Sequence, residues 1–103
     1  MPANTSNSLV IHEVAFTDRF KRAYKSLPQD IQNQVNNALR NLKKNPRPAS
    51  IRFEKLKGYR KPNIFTIHAT ANHSHKVSFE LDGTLAILRN VGTHKLLTGI
   101  HEV

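Results

Sequence analysis

Cysteine is absent from the 103 residues. That excludes a disulfide framework and any thiolate metal site. Tryptophan is absent as well, and carboxylates are scarce, with 7 Asp and Glu against 16 Lys and Arg. No apolar run approaches the roughly 20 residues that span a bilayer. Met1 to Ser8 offers neither a charged n-region nor an apolar h-region, so no signal peptide is expected there. A Gly-rich phosphate loop, a Walker pattern and a Ser-His-Asp order are all missing. These absences lead to the expectation of a soluble, cytoplasmic protein with no membrane partner.

What is present is a folded composition with a large positive charge. Hydrophobic residues make up 38% of the chain, and the formal net charge is +9. The pI is about 10.4. A chain of this length suits one domain that buries roughly two-thirds of its unfolded surface. The charge predicts attraction to a polyanion such as nucleic acid, an anionic membrane or an acidic partner, and is silent about fold.

Residues 1–7 read as a disordered lead, 8–95 as a single domain and 96–103 as a tail. Leu9 to Phe16 is β-branched and apolar, a first strand. Thr17 is a good N-cap, and Phe20, Ala23, Tyr24 and Leu27 follow at helical spacing. Pro28 closes that helix and opens a second one. Its stripe is Ile31, Val35, Ala38, Leu39 and Leu42. Pro46 and Pro48 end it, leaving a helical hairpin. The rest reads as strands at Ile51–Leu56, Asn63–Ala69, His75–Leu81 and Thr84–Val91. The order β-α-α-β-β-β-β predicts an α+β fold, with the N-terminal strand and helical hairpin packed on a twisted antiparallel sheet.

Register follows from Asp82-Gly83, taken as the centre of a type I′ turn. Leu81 then pairs with Thr84, Phe79 with Ala86 and Val77 with Leu88, on the core face. The other face pairs Ser78 with Ile87 and Lys76 with Arg89, two like charges across a strand pair. Burying Phe65, Ile67 and Ala69 sets His68 opposite Lys76. Burying Ile51 and Phe53 turns Arg52 and Glu54 outward. Arg52, Glu54, His68, Lys76 and Arg89 thus share one open face. Leu85 and Ile87 lie there too, which suggests that a partner protein covers part of it.

Glu54 is a lone acid among Arg52, Lys55, Lys57, Arg60 and Lys61. Such an acid is ordinarily a surface ion pair of little worth; the sharper reading is a general base beside a polyanion. His94 after the last strand is ordinarily structural or solvated, or else a general acid near neutral pH. His68, His73 and His75 match no zinc spacing, so no metal is expected. The lysine run is by default a solvated one. Its density, with Tyr59, favours contact with a nucleic-acid backbone.

Four segments resemble the RelE/ParE superfamily of bacterial toxins from toxin–antitoxin systems. They are Phe20-Lys-Arg-Ala-Tyr-Lys-Ser-Leu-Pro28, Glu54-Lys-Leu-Lys-Gly58 after Asn45-Pro-Arg-Pro48, His75-Lys-Val-Ser-Phe-Glu80, and Leu88-Arg-Asn-Val-Gly-Thr-His94. Their order and spacing carry the resemblance, over about residues 9–95. It implies a compact, RelE-like toxin that binds an antitoxin protein. In the ribonuclease branch it also implies a partner ribosome and mRNA, cut without metal or other cofactor.

Carried over residue by residue, Glu54 matches the family's catalytic Glu, and His94 matches a His after the last strand. Lys76 stands where the family has Arg, and lacks the bidentate fork that suits phosphate. Arg89 joins the catalytic set as a charge-stabilising group. Arg52, Lys55, Lys57, Arg60, Lys61 and His68 are the expected RNA contacts. The tail lacks the aromatic found near the C-terminus of many relatives. That role is either missing or taken by another residue, His101 being a candidate. The resemblance thus points to an endoribonuclease toxin. The alternatives are a gyrase inhibitor, or an inactive domain that binds only RNA or antitoxin.

Overall fold

The computed structural model describes residues 9–56, 58 and 62–93. The elements are β1 (Glu13–Phe16), α1 (Asp18–Lys25), α2 (Gln29–Leu42), a 3-10 turn (Ala49–Ile51), β2 (Glu54–Lys55), β3 (Phe65–His68), β4 (His75–Asp82) and β5 (Leu85–Thr93). This is the α+β order the sequence predicts. The sheet runs β1-β5-β4-β3-β2. It is mixed, not wholly antiparallel, because β1 pairs with β5 in parallel. The helical hairpin between β1 and the remaining strands makes that geometry possible, since parallel neighbours need a crossover connection.

The first strand is shorter than its apolar run. Leu9 to His12 lie outside β1, yet Ile11 is buried in the core. Thr17 joins helix to sheet. Its hydroxyl accepts from the Phe20 backbone N–H at 3.1 Å and donates to the Leu88 carbonyl at 2.8 Å. The cap that starts α1 therefore also fixes that helix against β5. Val35, Ala38, Leu39 and Leu42 of α2 are buried on the stripe read from the sequence.

The core lies between the helices and one sheet face. Phe20, Phe79, Ile67, Val77, Ala86 and Leu88 are almost fully buried there. Phe53, Phe65 and Phe79 pack as three rings with centroids 5.6–5.9 Å apart. Arg47 closes one end. Its guanidinium sits 4.4 Å from the centre of the Phe53 ring. It also donates to the Leu42 carbonyl at 3.2 Å and to the Leu9 carbonyl. Burial lowers the Arg47 pKa from its ordinary value.

The β4–β5 register differs from the expected one in two ways. Asp82 pairs with Leu85, so the turn is Gly83-Thr84. Gly83 has a φ of +61°, and Thr84 is not among the positive-φ residues. A type I′ turn needs positive φ at both central residues, which a β-branched Thr resists; glycine in the first place alone suits type II′. Leu81 consequently faces Ala86, and Phe79 faces Leu88. The slip is two residues, an even number, so each side chain from the turn to Phe79 and Leu88 keeps its expected face.

The second difference is a bulge. Phe79 pairs with Leu88 but Ser78 pairs with Asn90, leaving Arg89 as the extra residue. Beyond it the alternation inverts. Leu88 and Val91 both enter the core, three residues apart. Asn90 and Gly92 now share a face with Ser78 and Lys76. The expected Lys76–Arg89 pairing is therefore wrong. Lys76 faces Gly92, and Arg89 forms an ion pair with Glu80.

Candidate functional site

The sheet face away from the helices carries a polar row built by cross-strand pairing. Glu54 on β2 faces Thr66 on β3, Thr66 faces Ser78 on β4, and Ser78 faces Asn90 on β5. Two residues along β3, His68 faces Lys76, which faces Gly92. His68 and Lys76 are paired as the sequence predicts. Diagonal neighbours on adjoining strands lie about 7–8 Å apart, so Glu54 and His68 are within reach of one substrate group. Lys76 stands one strand further in.

The row is not open in the way expected of a solvated face. Thr66 and Ser78 are 0% exposed, and Lys76 and Asn90 are 5% exposed. Among the described residues, neither the Thr66 nor the Ser78 hydroxyl has a protein hydrogen-bond partner. Leaving a buried hydroxyl unpaired costs about 1–3 kcal/mol, so two side by side mark a site not arranged for stability alone. Asn90 accepts from the Val91 N–H through Oδ1 at 2.9 Å. Thr66, Ser78 and Asn90 were not singled out from sequence. For Asn90 the signal was legible: apolar residues at 88 and 91 break a period of two, as a bulge does.

The other expected site residues are dispersed. Arg52 is exposed but belongs to no strand; it caps the 3-10 turn with φ 48° and ψ 62°. The expected strand from Ile51 is reduced to Glu54–Lys55, because Ala49 to Ile51 coil into that turn. Ile51 is nonetheless buried, and Phe53 packs on the core as anticipated. Glu54 and Lys55 are exposed on the edge strand. Arg89 lies on β5, three strands from Glu54, and its Nε is buried without a partner while a terminal nitrogen binds Glu80. Leu85 and Ile87 are half-buried beside β1. Lys57, Arg60, Lys61, His94 and His101 lie outside the described residues.

The third histidine of the hairpin turns elsewhere. His68 and His73 approach with their Nδ1 atoms 2.8 Å apart, whereas His75 Nδ1 meets the Ser74 hydroxyl at 2.7 Å. Among the described residues no three His, Cys, Asp or Glu side chains are grouped to hold a metal ion. Among them, too, no helix is long and apolar enough to cross a membrane.

Concavities among the described residues lie on both sides of the helical hairpin. One, of about 750 Å³, lies between α2, the 3-10 turn and the β3–β4 turn, and includes Arg52 and His68 in its wall. The other, of about 350 Å³, is apolar and lies on the helical hairpin, against Phe16, Phe20, Tyr24 and Leu39. Phe16 is 46% exposed beside it.

No protein-family model matches the chain, and no curated protein does. Solved structures do match. The toxin of the E. coli DinJ-YafQ toxin-antitoxin complex superposes with a TM-score of 0.67 at 20% identity, covering 86% of this chain and 100% of that one. The archaeal RelE-RelB complex from Pyrococcus horikoshii OT3 gives 0.62 at 14% identity, over 82% and 96%. The RelB-RelE antitoxin-toxin complex from Methanococcus jannaschii gives 0.60 at 21%, over 82% and 94%. The protein therefore has the fold of the RelE and YafQ toxins.

Proposed function

We propose that this protein is the toxin of a toxin–antitoxin system and cuts mRNA as a metal-independent, ribosome-dependent endoribonuclease. The observation that carries the reading is the placement of Glu54, His68 and Lys76 on successive strands of one sheet face, on a RelE-like fold. An acid, an imidazole and a fixed cation on one rigid surface suit the cleavage of a phosphodiester.

In the step proposed, Glu54 takes the proton of an RNA 2′-hydroxyl. The 2′-oxygen attacks the adjacent phosphorus. Lys76 stabilises the charge that gathers on the non-bridging oxygens, where fixed positive groups act most strongly. The bond from phosphorus to the 5′-oxygen breaks, and His94 supplies the proton to that leaving oxygen. The products are a 2′,3′-cyclic phosphate and a free 5′-hydroxyl. Arg89, held by Glu80 at the bulge, acts on a neighbouring phosphate and not on the one attacked. Lys55, Lys57, Arg60 and Lys61 hold the RNA backbone through charge, as counterion release favours.

A protein antitoxin is the expected partner. The DinJ-YafQ and RelE-RelB structures are complexes of such pairs. The apolar groove at Phe16, Phe20, Tyr24 and Leu39 offers this chain a surface for an apolar antitoxin segment.

The test is to express the protein from a tightly controlled promoter and map mRNA 5′ ends. Cuts in phase with codons, lost in Glu54→Gln, are the expected result. Unphased cuts would remove the ribosome from the reading. Absence of cuts together with altered DNA supercoiling would replace it by gyrase inhibition.

A further inference from the structure

Apart from His68, the groove between α2 and the β3–β4 turn is lined by residues that the cleavage step leaves unused. We propose that it is a subsite for a nucleotide of single-stranded RNA, continuous with the strand lying over Glu54. The proposal rests on the ribonuclease reading above and assigns the groove to the substrate's flank.

Size and floor come first. At about 750 Å³ the groove falls within the range of ligand pockets and has room for one or two nucleotides. Ala38, Ile51 and Ala69 form its buried floor. These side chains leave a low apolar surface on which a base plane can lie.

The walls supply the polar chemistry. Asn37 and Asn41 stand four residues apart on α2 and so on the same helix face. The Asn37 Oδ1 accepts from the Arg40 guanidinium at 3.4 Å, which leaves its amide donors, beside the donors and acceptor of Asn41, to read a base edge. His68 and His73 form the opposite wall, ring centroids 4.7 Å apart at 71°. Imidazole faces stack on unpaired bases. Arg52 stands in the same wall and is exposed. Its planar fork matches a phosphate. No carboxylate occurs among the described residues of the lining, so nothing there repels the backbone of an RNA strand.

The groove is also preformed. Gln34 accepts from the Ala71 N–H through Oε1 at 3.1 Å, tying the β3–β4 turn to α2. It is continuous with the polar face. His68, diagonal to Glu54 across the β2–β3 pair, lines the groove together with Arg52. An RNA strand leaving Glu54 in this direction therefore enters it.

The experiment uses full-length Glu54→Gln protein, isotope-labelled, and hexanucleotides of oligo(A) and oligo(U). Backbone shifts on titration are expected at Asn37, Asn41 and His73 as well as along β3. Asn37→Ala and Asn41→Ala, both on the helix surface, should weaken the preferred oligonucleotide about 5-fold or more, the scale of losing one base-edge contact. In the active protein they should relax the base preference on one side of the cut. Shifts confined to the sheet face, or an unchanged affinity in both variants, would overturn the subsite. Failure of Glu54→Gln to abolish cleavage is a separate outcome. It would remove Glu54 as the base, while the groove shifts would still decide the subsite.

Discussion

The two faces of the central sheet share strands β3, β4 and β5 and obey opposite rules. Toward the helices stand Phe65, Ile67, Val77, Phe79, Ala86 and Leu88, close-packed and without a polar atom to satisfy. On the other side stand Glu54, Thr66, Ser78 and Asn90, with His68 and Lys76 next to them. The first face is arranged to fold the chain. The second buries two unpartnered hydroxyls and most of a lysine, each a cost to folding. Alternation along a strand lets both coexist, since neighbouring residues answer to different faces. The lesson is that unfavourable polar burial on one face depends on ample apolar burial on the other.

The largest expected effect breaks the polar face and leaves the apolar one untouched. Glu54→Gln should lower mRNA cleavage by about 10²–10⁴-fold, the scale of losing a general base. The denaturation midpoint should stay within experimental error, because Glu54 is exposed on an edge strand. Cleavage in a purified translation system and urea unfolding measure the two sides. Retained cleavage would reassign the base.

The converse variant is next. Phe79→Ala removes a fully buried ring that touches both Phe53 and Phe65. Loss of stability of about 3–5 kcal/mol is expected, by the transfer and cavity costs of a large core residue. Urea unfolding of the purified variant measures it. A loss under about 1 kcal/mol would mean that the ring cluster is not the centre of the fold.

The apolar face was the legible one. Val77, Phe79 and Leu81 alternate cleanly, and their face survived a wrong turn assignment because the register slipped by two. The α2 stripe was equally readable from Ile31 to Leu42. The polar face was legible only in pieces. His68 opposite Lys76 followed from burying Ile67 and Val77. Lys76 opposite Arg89 did not hold, because a bulge inserts one residue and inverts everything beyond it. The 3-10 turn at Ala49–Ile51 was hidden for a related reason: Ile51 and Phe53 are spaced like a strand and both pack on the core, Ile51 buried and Phe53 partly so, yet the chain between them turns through a left-handed Arg52. Thr66 and Ser78 look like ordinary strand residues in sequence. Only pairing across strands shows that they stand in line with Glu54.

A smaller effect is expected where the helices are tied to the sheet. Thr17→Ala removes the acceptor for Phe20 N–H and the donor to the Leu88 carbonyl together. An N-cap of this kind contributes about 0.5–2 kcal/mol, and the second bond places Thr17 toward the upper end. Thermal unfolding by circular dichroism measures it. A Thr17→Ser variant should recover most of the loss, since it keeps the hydroxyl.

A further small change in stability is the most informative about the polar row. Thr66→Val and Ser78→Ala each remove a buried hydroxyl that has no partner and keep nearly the same shape. Replacing an unpaired buried hydroxyl by an apolar group is close to neutral or stabilising. Urea unfolding should therefore show a change within about 0.5 kcal/mol or a gain. Cleavage should fall in the same proteins, because the hydroxyls that fill the row between Glu54 and Asn90 are gone. A stability loss above about 1 kcal/mol with cleavage intact would reverse the argument, since the hydroxyls would then be holding the sheet together. In that case the contrast between the faces would reduce to Glu54, His68 and Lys76 alone.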